Sequence, residues 1–241
     1  MKYSIWKEAT LDLLFPPRCV GCDEVLSEEN RKSGFCNKCK ENIHPVVEPL
    51  CRKCGKQILI EEAEYCRDCL RLPHHYNQGR GVFSYEGPMK DGMYRLKYGN
   101  RREYAKTIIR VALEQHEDWL RHMRPEVIVP VPVHPKKLRK RGYNQAEVLA
   151  RELSNKTGIP VEPLVERRVD TLPLKELTPE KRRKNLKNAF NIRKNGVKFK
   201  KVLIIDDIYT TGATVDAIAK LLLDSGAEEV YCLYGCIGRG Y

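Results

Sequence analysis

The run Val202-Leu203-Ile204-Ile205-Asp206-Asp207-Ile208-Tyr209-Thr210-Thr211-Gly212-Ala213-Thr214 decides the fold. Its opening aliphatic residues read as a strand buried on both faces, as in a parallel sheet covered by helices. Two carboxylates follow, then a loop rich in hydroxyls and glycine. A helical periodicity over 214–225 comes next and stops at Gly226. In open parallel sheets, ligands lie beyond the carboxyl ends of the strands. A helix start preceded by Thr, Gly and Thr offers free N–H groups, hydroxyls and the positive end of a dipole. The order suits a sugar phosphate: Thr210 to Thr214 around the phosphate, Asp206 and Asp207 toward ribose hydroxyls or a Mg²⁺-bound water. The competing explanation, an Asx turn plus a helix cap, needs no ligand. The chain has no Gly-x4-Gly-Lys-Ser/Thr run, which argues against P-loop ATP hydrolysis.

Outward from this run, strands and helices alternate. A short strand is predicted at 82–85, closed by Gly87-Pro88, with helices at about 89–98 and 101–121. The second helix places Ile108, Ile109, Ala112 and Leu113 on one face, with Trp119 and Leu120 two turns on. Further strands are predicted at 127–131, 159–165 (interrupted by Pro160 and Pro163), 201–205 and 229–237. A helix over 144–157 turns Ala146, Leu149, Ala150 and Leu153 inward and ends at Gly158. The class is α/β with a parallel sheet. Cys232 and Cys236, spaced to share a face of the last strand, read as small core residues.

The other eight of the ten cysteines form four Cys-x-x-Cys pairs: Cys19/Cys22, Cys36/Cys39, Cys51/Cys54 and Cys66/Cys69. Two residues between thiolates let both sulfurs reach one tetrahedral ion, so two closed, structural four-cysteine zinc sites are expected. Sequential pairing, 19/22 with 36/39 and 51/54 with 66/69, is the simplest; an interleaved pairing or a single occupied site also fits the spacing. Gly21 and Gly55 are expected to supply positive-φ turns in the knuckles. His44, His74 and His75 are nearby substitute ligands, although each also reads as an ordinary surface or packing residue. Ahead of this module, Ile5, Trp6, Ala9, Leu11, Leu13, Leu14 and Phe15 suggest an amphipathic packing helix ended by Pro16-Pro17. Lys7, Glu8 and Asp12 break up any signal-peptide core there, and no apolar run is long enough to span a bilayer. A cytoplasmic protein is expected, in which thiols are not disulfides. The expected organisation is a helix over 1–17, a double zinc ribbon over 18–72, and an α/β domain over 73–241.

Charge separates along the same boundary. The 241 residues hold 44 Lys+Arg and 32 Asp+Glu, a net of +12. Residues 1–72 balance at 12 of each, while 134–201 alone holds 20 basic and 7 acidic side chains. Two Zn²⁺ on eight thiolates would bring the first module to a net of −4. One basic segment implies a polyanion at a particular place.

The 202–214 run resembles the ribose-phosphate signature of type I phosphoribosyltransferases. More specifically, the chain is similar to the ComF family of competence-associated, phosphoribosyltransferase-like proteins. The resemblance rests on Leu14-Phe15-Pro16-Pro17-Arg18-Cys19-Val20-Gly21-Cys22, Leu96-Lys97-Tyr98-Gly99, Val129-Pro130-Val131-Pro132, Arg141-Gly142-Tyr143-Asn144-Gln145, and Arg182-Arg183-Lys184-Asn185 with Ala189-Phe190. It implies that Asp206 and Asp207 contact the ribose hydroxyls of phosphoribosyl pyrophosphate, with Thr210, Thr211, Gly212, Ala213 and Thr214 around its 5-phosphate. Pro132, Val133 and His134 would lie at the pyrophosphate, Lys97 would contact the substrate, and Arg141 and Arg183 would stabilise the departing pyrophosphate together with Mg²⁺. One departure is Leu174 after Thr171-Leu172-Pro173, where such proteins usually carry Gln.

Phosphoribosyl pyrophosphate cannot use every cation of the basic segment. Lys136, Lys137, Arg139, Lys140, Arg141, Arg182, Arg183 and Lys184 read either as a solvated surface or as a site for single-stranded DNA, the polyanion the family suggests, with Tyr143 and Phe190 as aromatic platforms. Two functions follow from the resemblance. One is a DNA-uptake protein working beside a helicase-like ATPase, ComFA, that docks on the zinc module. The other is an active phosphoribosyltransferase with an unidentified acceptor.

Overall fold

The computed structural model describes residues 15–60, 62–168, 186, 189–193 and 197–238. Residues 1–14 of the proposed N-terminal helix, the Thr171–Leu174 departure, and Arg182, Arg183 and Lys184 lie outside them. Three short helices belong to the cysteine-rich module: α1 (Glu28–Arg31), α2 (Asn37–Lys40) and α3 (Arg67–Arg71). After them come β1 (Gln78–Ser84), α4 (Gly87–Tyr98), α5 (Tyr104–Met123), β2 (Val127–Pro130), α6 (Pro135–Arg141) and α7 (Gln145–Thr157). The chain continues through β3 (Val165–Arg167), β4 (Phe190–Ile192), β5 (Lys201–Tyr209), α8 (Ala213–Asp224) and β6 (Glu229–Ile237).

The expected parallel sheet forms, with four strands in the order β1-β6-β5-β2. Its two faces carry separate cores. Ile108, Ile109 and Ala112 of α5 and Leu149, Ala150 and Leu153 of α7 cover one, together with the first cysteine quartet. Val215, Ile218, Ala219 and Leu222 of α8 cover the other, together with the second quartet. The strands are apolar on both sides because both sides are buried.

Three elements differ from expectation. The predicted strand over 159–165 is reduced to a single parallel bridge between Ile128 and Val161, because Pro160 and Pro163 remove the donors a strand needs. Val165 instead opens the small antiparallel pair β3–β4. The strand predicted to end at Ile205 runs on to Tyr209, since its register with β6 continues through Asp206–Tyr234 to Tyr209–Ile237. Both carboxylates therefore sit on strand backbone rather than in a loop. Finally, the basic run after β2, for which no element was expected, forms α6, begun by Pro135 and capped by the side chain of His134, whose Nδ1 accepts from the Lys136 N–H at 3.3 Å.

Cys232 and Cys236 are fully buried, as expected of core residues, but they enter opposite cores. The alternation of side chains shifts near Gly235, where a Cβ would meet the Asp207 carbonyl at 3.1 Å and the Met93 methyl at 3.0 Å.

The cysteine-rich module seals the outer edge of β1. Ser84 N–H donates to the His44 carbonyl, Val46 N–H to Val82, and Gly79 N–H to Lys53, at 2.7–2.9 Å. An otherwise open strand edge is thus paired within the chain.

Candidate functional site

The two cysteine quartets form with sequential pairing: Cys19, Cys22, Cys36 and Cys39 in one, and Cys51, Cys54, Cys66 and Cys69 in the other, each with its sulfurs within 4.8 Å of one another. A tetrahedron with Zn–S bonds of ~2.3 Å has S–S edges of about 3.8 Å. Cys22–Cys36 and Cys54–Cys66 each stand at 3.7 Å. The donor sets fit two structural zinc ions, and no histidine belongs to either cluster.

The quartets are repeats of one design. Asp23 and Gly55, each following the second cysteine of a knuckle, have φ of 69° and 73°. Each donates its N–H to the first cysteine's carbonyl at 2.9 Å. The positive φ expected at Gly21 is therefore at Asp23. Gly21 is needed for space instead, because a Cβ there would lie 2.7 Å from Pro88 and 2.8 Å from the Cys39 sulfur. Beside the second quartet, buried Lys56 pairs with Asp68 at 2.6 Å. Burial alone would lower Lys56, but Asp68 and the nearby thiols outweigh it and hold its pKa above the ordinary value.

At the carboxyl end of β5, Asp206 and Asp207 are both buried. The Asp207 N–H donates to Asp206 Oδ1 at 2.9 Å. Lys97 of α4 reaches down to Asp207, with Nζ–Oδ2 at 2.6 Å. The two acids are consequently split. Burial, then the charge of Asp207, pushes Asp206 well above the usual carboxylate range. Burial also acts on Asp207, but the Lys97 ammonium, with help from the Gln145 side chain, overrides it and holds Asp207 low. For Lys97 the opposing effect of burial is likewise outweighed by Asp207, and its pKa is raised. Adjacent carboxylates whose pKa values are pushed in opposite directions are a mark of functional sites.

Asp206 also lines a small concavity with Ile208, Tyr209, Thr210, Thr211, Gly212, Ala213, Thr214 and Val215. Gly212 stands at the N-cap of α8 with φ 75° and no side chain to cap the helix. The first-turn amides are left to an anion. A Cβ at Gly212 would also lie 2.4 Å from Tyr209 Oη. Tyr209 supports this loop from below, and its hydroxyl meets that of Tyr76 at 2.9 Å.

The loop from Val131 to His134 runs beside the same strand ends. Val131 N–H donates to the Ile205 carbonyl at 3.0 Å. Asn144 fixes the loop further, its Nδ2 donating to the Val131 carbonyl at 2.9 Å while its Oδ1 caps α7. Pro132 and His134 are buried and Val133 half-buried. Beyond them, α6 presents Lys136, Arg139 and Lys140 to solvent. Arg141 turns back, donating to Gln145 Oε1 at 3.0 Å and to Tyr98 Oη at 2.9 Å.

The expected aromatic platforms are absent from this surface. Tyr143 is only 7% exposed, with its hydroxyl bonded to the Leu96 carbonyl, and Phe190 is only 6% exposed in the core against α8. Their apolar rings are consumed by packing. Sequence reasoning did not single out Asn144, Gln145, Tyr76 or Tyr98 as site residues. Three of them stand inside motifs quoted for the family resemblance, but only the fold reveals their contacts.

Comparison with known proteins agrees with this architecture. Residues 10–70 match the double zinc ribbon domain family, and residues 101–236 match the phosphoribosyl transferase domain family. Competence protein F of Haemophilus influenzae is 32% identical over 219 residues, covering 88% of this chain and 93% of that protein. DNA utilization protein YhgH of Escherichia coli K12 is 31% identical, covering 83% and 89%. Competence protein ComFC of Bacillus subtilis is 25% identical, covering 86% and 89%. A double zinc ribbon built onto a parallel phosphoribosyltransferase sheet, shared along most of the chain with these relatives, places this protein in the competence protein F family.

Proposed function

We propose that this protein binds phosphoribosyl pyrophosphate with Mg²⁺ in the Asp206–Thr214 cradle and assists the handling of incoming single-stranded DNA during natural transformation, in the cytoplasm. The observation that carries the reading is the split acid pair of Asp206 and Asp207 at the open N-terminus of α8. Amides of the first helical turn, with Thr210, Thr211 and Thr214, suit the 5-phosphate. Asp206 faces that concavity with no cation of its own among the described ion pairs, which fits a partner that brings positive charge, such as hydrated Mg²⁺. Mg²⁺ would neutralise the pyrophosphate. Arg141 and the cations of α6 are the groups near the Val131–His134 loop that would add to that neutralisation, with Arg183 assigned to the same task by family resemblance.

DNA handling is supported by the surplus of cations on α6 and by the names of the relatives, a competence protein and a DNA utilization protein. Among the described residues, no helix is long and apolar enough to cross a membrane. Docking of a helicase-like competence ATPase on the zinc module is supported by Leu59, Ile60 and Leu70, which stand exposed there.

Calorimetry tests the cradle: Mg²⁺–phosphoribosyl pyrophosphate binds the native protein, and Asp206→Ala with Asp207→Ala abolishes the heat. Unchanged affinity would refute the assignment. A second reading, transfer of the phosphoribosyl group to an acceptor in nucleotide metabolism, draws on the Lys97–Asp207 pair, which keeps one carboxylate ionised at the reacting sugar. Pyrophosphate release assayed with and without single-stranded DNA separates the two. Turnover favours the enzyme, and saturable binding without turnover favours the DNA-handling protein.

A further inference from the structure

Tyr94 and Tyr98 stand on the outer side of α4, one turn apart, with 65% and 55% of their surfaces exposed. They are the largest aromatic surface the described residues leave uncovered near the cradle. Their ring centroids are 5.0 Å apart and tilted by 46°. The Arg141 guanidinium lies 4.6 Å from the Tyr98 ring centre and is anchored at both ends, on Tyr98 Oη and on Gln145. Two exposed tyrosines in mutual contact, with a fixed arginine against one of them, are not explained by packing. Neither ring covers a core, and Arg141 has no carboxylate among its described hydrogen-bond partners.

Position adds to this. Lys97, the immediate neighbour of Tyr98, carries the ion pair to Asp207. On the other side, Arg141 ends the basic helix α6, whose Lys137 lies one turn earlier on the same face. Arg102, exposed, lies 4.3 Å from the ring centre of Tyr143, whose own hydroxyl is tied to α4. An aromatic step is thus flanked by cations on one side and by the carboxylate site on the other. Polyanion backbones take the cations, and flat π-faces take the bases they carry; single-strand binders combine these two features.

We propose that Tyr94 and Tyr98, with Arg141, form a base-stacking platform that seats nucleobases of single-stranded nucleic acid at the rim of the cradle. The proposal rests on the DNA-handling reading and assigns its base contacts to α4, in place of Tyr143 and Phe190. The backbone of the strand runs along α6, and its bases lie on the tyrosines.

The test compares a short oligo-dT with an abasic deoxyribose-phosphate oligomer of the same length, followed by fluorescence anisotropy on the full chain. Native protein is expected to prefer oligo-dT. Tyr94→Ala with Tyr98→Ala should weaken oligo-dT about tenfold or more while leaving the abasic oligomer and the salt slope unchanged. Tyr98→Phe, which keeps the ring, should retain the preference. Equal binding of the two oligomers by native protein, or an unchanged preference in the double variant, would overturn the platform while leaving electrostatic DNA binding intact. Absence of binding to either oligomer overturns the DNA-handling reading itself, and the platform with it. Unaltered thermal unfolding of the variants is expected, since both side chains are exposed.

Discussion

The hydroxyls of Tyr76 and Tyr209 meet at 2.9 Å in a buried contact between the segment that joins the zinc module to β1 and the strand that carries both carboxylates. Tyr209 in turn packs against Tyr234, ring centres 4.5 Å apart and tilted by 41°, and lies directly beneath Gly212. Lys53 stands over the Tyr76 ring and Lys56 over Tyr209, at 5.4 and 6.0 Å. The floor of the candidate phosphate loop is therefore made partly by residues that the second cysteine quartet holds in place.

Tyr76→Phe removes one hydroxyl and leaves that of Tyr209 buried without its partner, a loss of about 1–3 kcal/mol. Removing both hydroxyls should cost less than the sum of the two single changes, since no orphaned group remains. Urea unfolding of the four proteins measures this coupling. Strictly additive losses would show that the contact carries no energy.

The two zinc sites are expected to fail differently. Gly21 of the first knuckle accepts from Arg95 at 2.8 Å, and the Val20 carbonyl would lie 2.5 Å from a Cβ at Gly92, so this site braces α4. The second quartet shares a core with Tyr76, Tyr209 and Ala213. Cys54→Ser should weaken Mg²⁺–phosphoribosyl pyrophosphate more than Cys22→Ser does, each measured by calorimetry at matched zinc content. Equal losses would mean that the module acts only through overall stability.

Lys97→Met leaves the buried Asp207 without its cation, at a cost of about 3–5 kcal/mol near neutrality. Asp207 is held below the usual carboxylate range, so its contribution is present above the unfolded value near pH ~3.9 and is lost as pH falls through the lower folded value. Lys97 is raised, so its contribution persists below the unfolded value near pH ~10.4 and is lost only above that. The penalty of Lys97→Met should therefore be full at pH 7 and shrink in acid. Denaturant midpoints at the two pH values check this, and a penalty independent of pH would exclude the ion pair as its origin.

Asp206→Asn should have the opposite sign. Because Asp206 is pushed up, ionising it opposes folding, and that cost sets in as pH rises above ~3.9 toward its folded value. The amide should stabilise the ligand-free protein at pH 8, with the gain vanishing at pH 3, while phosphoribosyl pyrophosphate binding is lost. A variant less stable than native at pH 8 would contradict the assigned strain. Such exchange of stability for function is common where sites hold charges in unfavourable places.

Much of this was legible in the chain because its strongest signals are local. Four cysteine pairs at matching spacing dictated two quartets, and an aliphatic strand followed by Asp206-Asp207 and a Thr/Gly loop dictated the cradle. The misreadings have two sources: local turn and proline chemistry, and roles that depend on distant neighbours. Ile159 to Val165 has strand composition, yet its prolines prevent more than one bridge to Ile128. Tyr143 sits amid cations in sequence, yet its hydroxyl is drawn inward by Leu96, forty-seven positions earlier. Asp23 took the knuckle turn expected of Gly21 because the turn falls one residue after the second cysteine. Tyr98 gained meaning only when α6 brought Arg141 against it.

The pairing of residues 44–53 along β1 has a consequence for how the molecule can be divided. The zinc ribbons look like a detachable appendage in sequence, but they supply the missing neighbour of the sheet's outermost strand. A truncated protein beginning at β1 would expose Gln78–Ser84 as a bare ladder, free to recruit the same strand from another copy. Loss of zinc would loosen the residues that pair with this same edge. Zinc supply would then act on this protein as a solubility switch as well as a structural requirement, with depletion seen first as aggregates and only afterwards as lost ligand binding.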